Sequence, residues 1–261
     1  MGGMHHHPLT DRRALAEALP DTPENVIARH VLGRGLCRAW VLGPINRFQA
    51  AIVQYDFLPA EPAGFGDDAG GIVELLGSVD GWECVFLRSA LAPAVATIIE
   101  RRMGLASRLY GEVCFVLEEP APSFEHEAVR LLGPPDAGLL SEAPPELRGT
   151  GWGNIETMLA DGVAAAAVVD GQIVAIAHTS GHTRSYADVG VFTHEDYRNR
   201  GLSTAAASVV AHRVQQLGLT PVWSTGCDNL ASLRVAQKLG FAEVSRGTYV
   251  ILDRPGRRLA H

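Results

Sequence analysis

Leu15, Leu19, Val26, Ile27 and Val31 recur at near-helical spacing over residues 10–32, and Pro20 and Pro23 divide the stretch, so it predicts one or two helices. The pattern then changes to strand character. Residues 36–42 and 48–55 flank Gly43-Pro44-Ile45-Asn46, a strong turn signal, and read as an antiparallel pair. After a breaker-rich stretch at 59–71 come a short helix (72–76), a strand (82–87), a helix opened near Pro93 (94–103) and a strand (109–118). These make an N-terminal α/β unit. Pro120, Pro122, Pro134 and Pro135 follow closely and interrupt regular pairing, which divides the chain into units at 1–122 and 123–261.

In the second unit, residues 155–159 predict a short helix and 163–169 a strand. Asp170-Gly171 is a tight hairpin turn, 172–180 its partner strand, and 186–193 a further strand. A helix over 203–217 places Val210, Val214 and Leu217 on one stripe and stops at Gly218. A hairpin followed by strand, helix and strand reads as a second α/β unit, to which the N-terminal α/β unit adds.

Composition narrows the function. With 261 residues, 47% of them hydrophobic, the chain can bury a full core. A net charge of −7 works against a nucleic-acid partner. Cys37, Cys84, Cys114 and Cys227 show no metal-ligand spacing, and Cys84 and Cys114 lie in apolar runs as buried free thiols do. No run is long enough for a membrane helix and the first residues do not form a signal peptide, so the expected location is cytoplasmic. The terminal tract His5-His6-His7 reads as a surface tract or tag remnant, and no metal is expected.

The chemistry concentrates in Thr193-His194-Glu195-Asp196-Tyr197-Arg198-Asn199-Arg200-Gly201-Leu202-Ser203-Thr204, which follows a strand and opens an Ala-rich helix. The first N–H groups of a helix lack intrahelical partners and the dipole is positive there, so this turn is an anion site suited to a pyrophosphate. Gly201 lets the backbone come close, and Arg198 and Arg200 offer planar forks for phosphate oxygens.

Residues 221–241 then read as a short strand, a helix capped by Asn229 and a glycine stop at Gly240. Together the two segments resemble the GNAT superfamily of acyl-CoA-dependent N-acyltransferases. Arg198-Asn199-Arg200-Gly201-Leu202-Ser203 approaches the family's loop, Arg/Gln-x-x-Gly-x-Gly/Ala, with Ser203 as the last small residue. The family's second signature, an Asn and a helix ending in Lys-Leu-Gly-Phe, runs from Asn229 to Phe241. Trp223, Ser232 and Ala236 make the segment look most like a bacterial branch with zwittermicin-resistance-type members. The resemblance covers about 150–252 in the C-terminal half and does not extend before about 125. The N-terminal unit is open to being a diverged second copy of the fold or a cover for the acceptor site.

The resemblance implies an α/β fold with a mixed central β-sheet flanked by helices, with which the alternation of hairpin and strand-helix-strand agrees. It implies acetyl-CoA as cofactor, with its pyrophosphate over Arg198, Asn199, Arg200, Gly201, Leu202, Ser203 and Thr204. It implies that backbone groups of Val191, Phe192 and Thr193 pair with the pantetheine arm and that Asn229 reaches a pantetheine amide. Alternation puts Asp188 on one face with Gly190 and Phe192, and Asp188 is the only carboxylate in that strand. The family role for such a carboxylate is to take the proton of the amine. His178 and His182 are alternatives, and Glu195 and Asp196 read as partners of the local arginines or shapers of the turn. Many members carry a tyrosine where this chain has Ala236, so Ser232, one helical turn earlier, is the candidate to help the departing thiolate and a second contact to the cofactor. Cys227 lacks a neighbour that would form a thiolate. The expected activity is acetyl transfer from acetyl-CoA to the amine of a small molecule by direct attack in a ternary complex, in a monomer or homodimer. The alternatives are a non-catalytic acyl-CoA sensor and a protein N-terminal or lysine acetyltransferase.

Overall fold

The computed structural model describes residues 8–149 and 151–253; the histidine tract lies outside the described residues. In chain order the elements are α1 (Arg12–Ala18), α2 (Val26–Arg34), β1 (Cys37–Leu42), β2 (Ala50–Tyr55), β3 (Leu58–Gly66), α3 (Ala69–Leu76), β4 (Cys84–Arg88), α4 (Ala92–Met103) and β5 (Ser107–Val116). There follow β6 (Val129–Leu132), α5 (Ala137–Glu142), α6 (Ile155–Asp161), β7 (Ala164–Val169), β8 (Gln172–His182), β9 (Tyr186–Thr193), α7 (Leu202–Gln216), β10 (Thr220–Gly226), α8 (Leu230–Leu239) and β11 (Ala242–Leu252).

All the strands of the described residues belong to one 11-stranded sheet in the order β1-β2-β3-β4-β11-β5-β10-β9-β8-β7-β6. That order is nearly a palindrome. The N-terminal half begins with three antiparallel strands and the C-terminal half with four; each then runs a helix, a strand, a helix and a last strand, and the last strands cross over. β5 lies between β10 and β11, and β11 lies between β4 and β5. The β5–β11 ladder is antiparallel and brings Tyr110 opposite Tyr249. The proline-rich stretch 120–122 does separate β5 from β6, yet the sheet continues across the point where the chain divides in sequence.

Helices cover both faces. On one face α3 and α4 bury Ile72, Leu75, Val95 and Ile99 against Ile52, Leu87 and Val250. On the same face α7 and α8 bury Ala206, Val210, Val214 and Leu239 against Val189 and Trp223. On the other face α1 and α2 pack Leu15, Val31 and Leu32 on Ala51 and Val53, while α5 and α6 pack Leu140, Met158 and Leu159 on Ala164 and Ile176. Val26 of α2 packs on Cys114, Val116 and Val222, so this helix of the N-terminal half lies over the seam. His30 fixes it there: Nε2 meets the Gly151 carbonyl at 3.1 Å, and Nδ1 accepts the His182 N–H at 3.2 Å. Burial, with Arg34 adding to it, lowers the His30 pKa to about 4, which keeps the ring neutral for this two-sided bond.

The predicted helices and strands stand within a few residues of their expected bounds, with three differences. The breaker-rich stretch forms β3. Pro62 has no N–H to give, but it lies opposite the irregularity between Val53 and Tyr55 of β2, and among the described residues β3 pairs with β4 only at Ala63 and Phe86. Second, β6, α5 and β11 are further elements. Third, Leu217 is 52% exposed and lies outside the core stripe, because it is the residue at which α7 ends before Gly218 turns left-handed. All four cysteines are free; Cys37, Cys84 and Cys114 are buried and Cys227 is exposed.

Candidate functional site

β9 and β10 run parallel, and their pairing ends at Val222 opposite Asp188. Past that point no pairing joins them among the described residues, while β9 stays bonded to β8 through Val191, Phe192 and Thr193. The strands therefore open into a gap; Val191 and Thr193 line its β9 side with backbone groups turned toward β10, whereas Phe192, expected to do the same, turns its own toward β8 because successive residues of a strand alternate.

The gap leads to the basic turn. Glu195–Tyr197 make one 3-10 turn, and Arg198 follows. Arg198 Nε donates to the Thr193 carbonyl at 3.3 Å, and the Arg200 guanidinium donates to the Asp196 carbonyl at 3.0 Å while stacking over Tyr197. Thus Asp196 holds Arg200 by its backbone, and its carboxylate lies 3.6 Å from His194. Asn199 (φ 62°) and Gly201 (φ 79°) are left-handed, which turns successive N–H groups toward one side. No side chain caps α7, and a Cβ at Gly201 would meet no heavy atom within 4 Å. Arg198, Asn199, Arg200 and Gly201 are exposed, whereas Leu202 and Thr204 turn their side chains inward and Ser203 is half-buried. An uncapped start of a 15-residue helix, open above its glycine and flanked by two arginines, fits a pyrophosphate.

The equivalent turn in the N-terminal half differs. There β3 leads into α3 through Gly66-Asp67-Asp68, Asp67 is paired with Arg88, and the Asp68 carboxylate lies against Gly70 and Gly71 at the helix start. The Asp68 side chain accepts no helix N–H, but its negative charge beside the helix start opposes an anion there.

Across the gap, Asn229 caps α8 by accepting the Ser232 N–H at 3.2 Å, and its side chain is exposed. Ser232 Oγ accepts the Trp223 indole N–H at 2.9 Å and keeps its own proton to give. Ala236 is buried in the core between α7 and α8.

On the sheet face covered by α2, Asp188 lies half-buried beside the start of the gap. Burial raises its carboxyl pKa to about 6, against the Ser180 hydroxyl that bonds the charged form. His178 and Gly190 are cross-strand partners, and burial lowers the His178 pKa so that it stays neutral. His182 is committed to the seam through its backbone and to the Thr183 carbonyl through Nδ1 at 3.1 Å.

A second carboxylate on this face escapes a reading by motifs. Glu112 of β5 is raised to about 7 by burial and then by the charge of Asp188, against a hydrogen bond from Tyr249 Oη at 3.4 Å. Phe86, Tyr110 and Tyr249 surround it. They lie outside the segments with recognisable motifs, and the one signal was a carboxylate beside the apolar run Val113-Cys114-Phe115-Val116. Among the described residues, no group of three or more His, Cys, Asp or Glu side chains is placed to hold a metal ion, and no helix is long and apolar enough to cross a membrane.

Residues 146–251 match the model of the GNAT acetyltransferase family. No curated protein matches the chain. Among solved structures, the chain is similar to a GCN5-related N-acetyltransferase-like protein from Streptococcus suis, with 22% identity over 93% of this chain and 98% of that one and a TM-score of 0.67. A GNAT-family acetyltransferase from Novosphingobium aromaticivorans gives 21% identity, 89% and 98% coverage and a TM-score of 0.60. A tandem GNAT protein from the clavulanic acid biosynthesis pathway gives 17%, 95% and 94%, and a TM-score of 0.55. The likeness in fold thus extends into the N-terminal half, where the sequence carries no motif.

Proposed function

We propose that this protein, an acyltransferase whose residues 146–251 match the GNAT acetyltransferase family, moves an acetyl group from acetyl-CoA to an amine of a small molecule by direct attack in a ternary complex. The observation that carries this reading is the continuity of the β9–β10 gap with the uncapped, arginine-flanked start of α7.

Bound there, acetyl-CoA supplies the activated acyl group as a thioester. Arg198, Arg200 and the N–H groups of residues 201–204 hold its pyrophosphate, while Val191 and Thr193 offer backbone groups to the pantetheine arm and Asn229 offers its amide. A backbone N–H of β9 is the donor available to polarise the thioester carbonyl. Asp188 takes the proton of the attacking amine, a role for which a carboxyl held at about 6 is ionised at neutral pH yet basic enough to accept. Ser232 Oγ donates toward the departing sulfur, directly or through a water. That demand is modest, because a thiol with a reference pKa of about 8.5 is a tolerable leaving group. The N-terminal half is a second copy of the fold without a cofactor turn, and it walls the acceptor side with α2 and β5.

Thiol release by the full-length protein, with acetyl-CoA and a panel of amines, tests the reading. Amine-dependent release supports it; CoA binding without release with any amine would assign the protein to the sensor class, and release with peptide amines alone would assign it to protein modification.

A further inference from the structure

Glu112 stands between two glycines, Gly226 on β10 and Gly247 on β11, on the face away from α4, α7 and α8. A side chain at either glycine would collide with an aromatic ring: a Cβ at Gly226 with Tyr110, and one at Gly247 with Phe86. The two bare positions therefore let these rings lie down on the sheet on either side of the carboxylate. Tyr249 completes the enclosure, with its ring centroid 5.0 Å from that of Phe86 and 6.5 Å from that of Tyr110, and its hydroxyl directed to Glu112 Oε2 at 3.4 Å. Tyr110 is held in place by donating to Asp228 Oδ1 at 2.6 Å.

A carboxylate flanked by aromatic rings matches one kind of ligand group. Ring faces attract a cation through their quadrupole, and the carboxylate supplies the opposite charge. A neutral or anionic group would forfeit both contributions. Among the described residues no basic side chain forms an ion pair with Glu112. Asp188, close enough to influence Glu112 electrostatically, lies on another strand beside the donor gap. The two carboxylates are thus separated into one that can receive a proton from a reacting nitrogen and one boxed by rings.

We propose that Glu112, with Phe86, Tyr110 and Tyr249, binds a second cationic nitrogen of the acceptor, so that the acceptor is a short amine carrying a further ammonium group. This rests on the reading of the protein as an amine acyltransferase only in calling the ligand the acceptor. The N-terminal half then contributes directly to specificity, since Phe86, Tyr110 and Glu112 all belong to β4 and β5.

The test is calorimetric titration of the full-length protein with 1,4-diaminobutane and with butylamine at pH 8, where Glu112 is ionised. The diamine is expected to bind on the order of tenfold more tightly than the monoamine. Glu112→Gln should bring the two to parity and leave CoA affinity unchanged. Phe86→Leu, which keeps the carboxylate, should weaken the diamine severalfold and decides the question if Glu112→Gln does not fold. Equal affinity of the parent for the two amines, or a diamine preference that survives both substitutions, would overturn the proposal. Neither result depends on turnover, so failure of amine-dependent thiol release with the diamine preference intact would count against acyl transfer alone.

Discussion

Asp188 and Val222 are the last paired residues of β9 and β10, so the one carboxylate inside β9 stands where the sheet opens. A base placed there touches the acceptor and stays clear of the pyrophosphate turn. Asp188→Asn is therefore expected to lower kcat by about 10²–10⁴-fold with little change in CoA affinity. In the parent, kcat should rise with pH through an apparent pKa near 6 and level off, because the carboxyl must be ionised to accept a proton. Stopped-flow thiol release across pH checks both. An unchanged ascending limb in Asp188→Asn would remove Asp188 from the role.

The same burial sets a pH dependence of stability. Glu112 and Asp188 have folded pKa values raised to about 7 and about 6, so the folded state holds their protons more tightly than the unfolded chain does. The stabilisation is complete below the unfolded carboxylate range and is lost as pH rises through the folded values. His30 works in the opposite sense, since its lowered pKa removes stability only as pH falls from 6.5 toward about 4. Between pH 8 and 6.5 the carboxyl effect dominates. The Tm of the ligand-free protein is expected to rise over that interval on acidification, and Glu112→Gln should flatten the rise. A Tm that falls from pH 8 to 6.5 would contradict the assignment.

The crossed strands make a prediction about the halves. A fragment beginning at residue 123 loses β5, whose removal leaves β10 and β11 without the strand that joins them. It also loses the α2 packing on Val222. Residues 123–261 alone should therefore be insoluble or unfolded, while the same fragment co-expressed with residues 1–122 should assemble and bind CoA. A monomeric, CoA-binding C-terminal fragment would show that the strand exchange is dispensable.

Ser232 has two duties that one substitution separates. Ser232→Ala should lower kcat by about tenfold or less, since the thiolate leaves without much help. It should also destabilise the fold by about 1–3 kcal/mol, because the buried Trp223 indole N–H loses its acceptor. Thermal denaturation and kcat are measured on the same preparation. A loss of 10³-fold in kcat would make Ser232 a principal acid.

How much of this was readable from residues alone depends on how local each signal is. The basic turn, the Asn229 cap and the glycine stops at Gly218 and Gly240 are set by neighbours in sequence, and each appears where the spacing put it. Asp188 was visible for the same reason, as the lone carboxylate of a strand. By contrast, Glu112, Phe86, Tyr110 and Tyr249 come together only because β5 and β11 exchange places, and no spacing within the chain encodes that. β3 was hidden by Pro59 and Pro62, whose missing N–H groups matter only where a partner strand would have used them. The similar element order of the two halves was hidden too: in place of the basic turn, the N-terminal half carries Asp67 and Asp68.

A single acyl-CoA seat per chain, at the start of α7, is open to calorimetric titration of CoA into the parent and Gly201→Val. One CoA per chain is expected in the parent. In Gly201→Val binding should weaken by at least about thirtyfold, because a β-branched residue resists the left-handed backbone at φ 79° and projects into the space left for the phosphate. Two CoA molecules per chain, or parental affinity in Gly201→Val, would contradict a single seat at this turn.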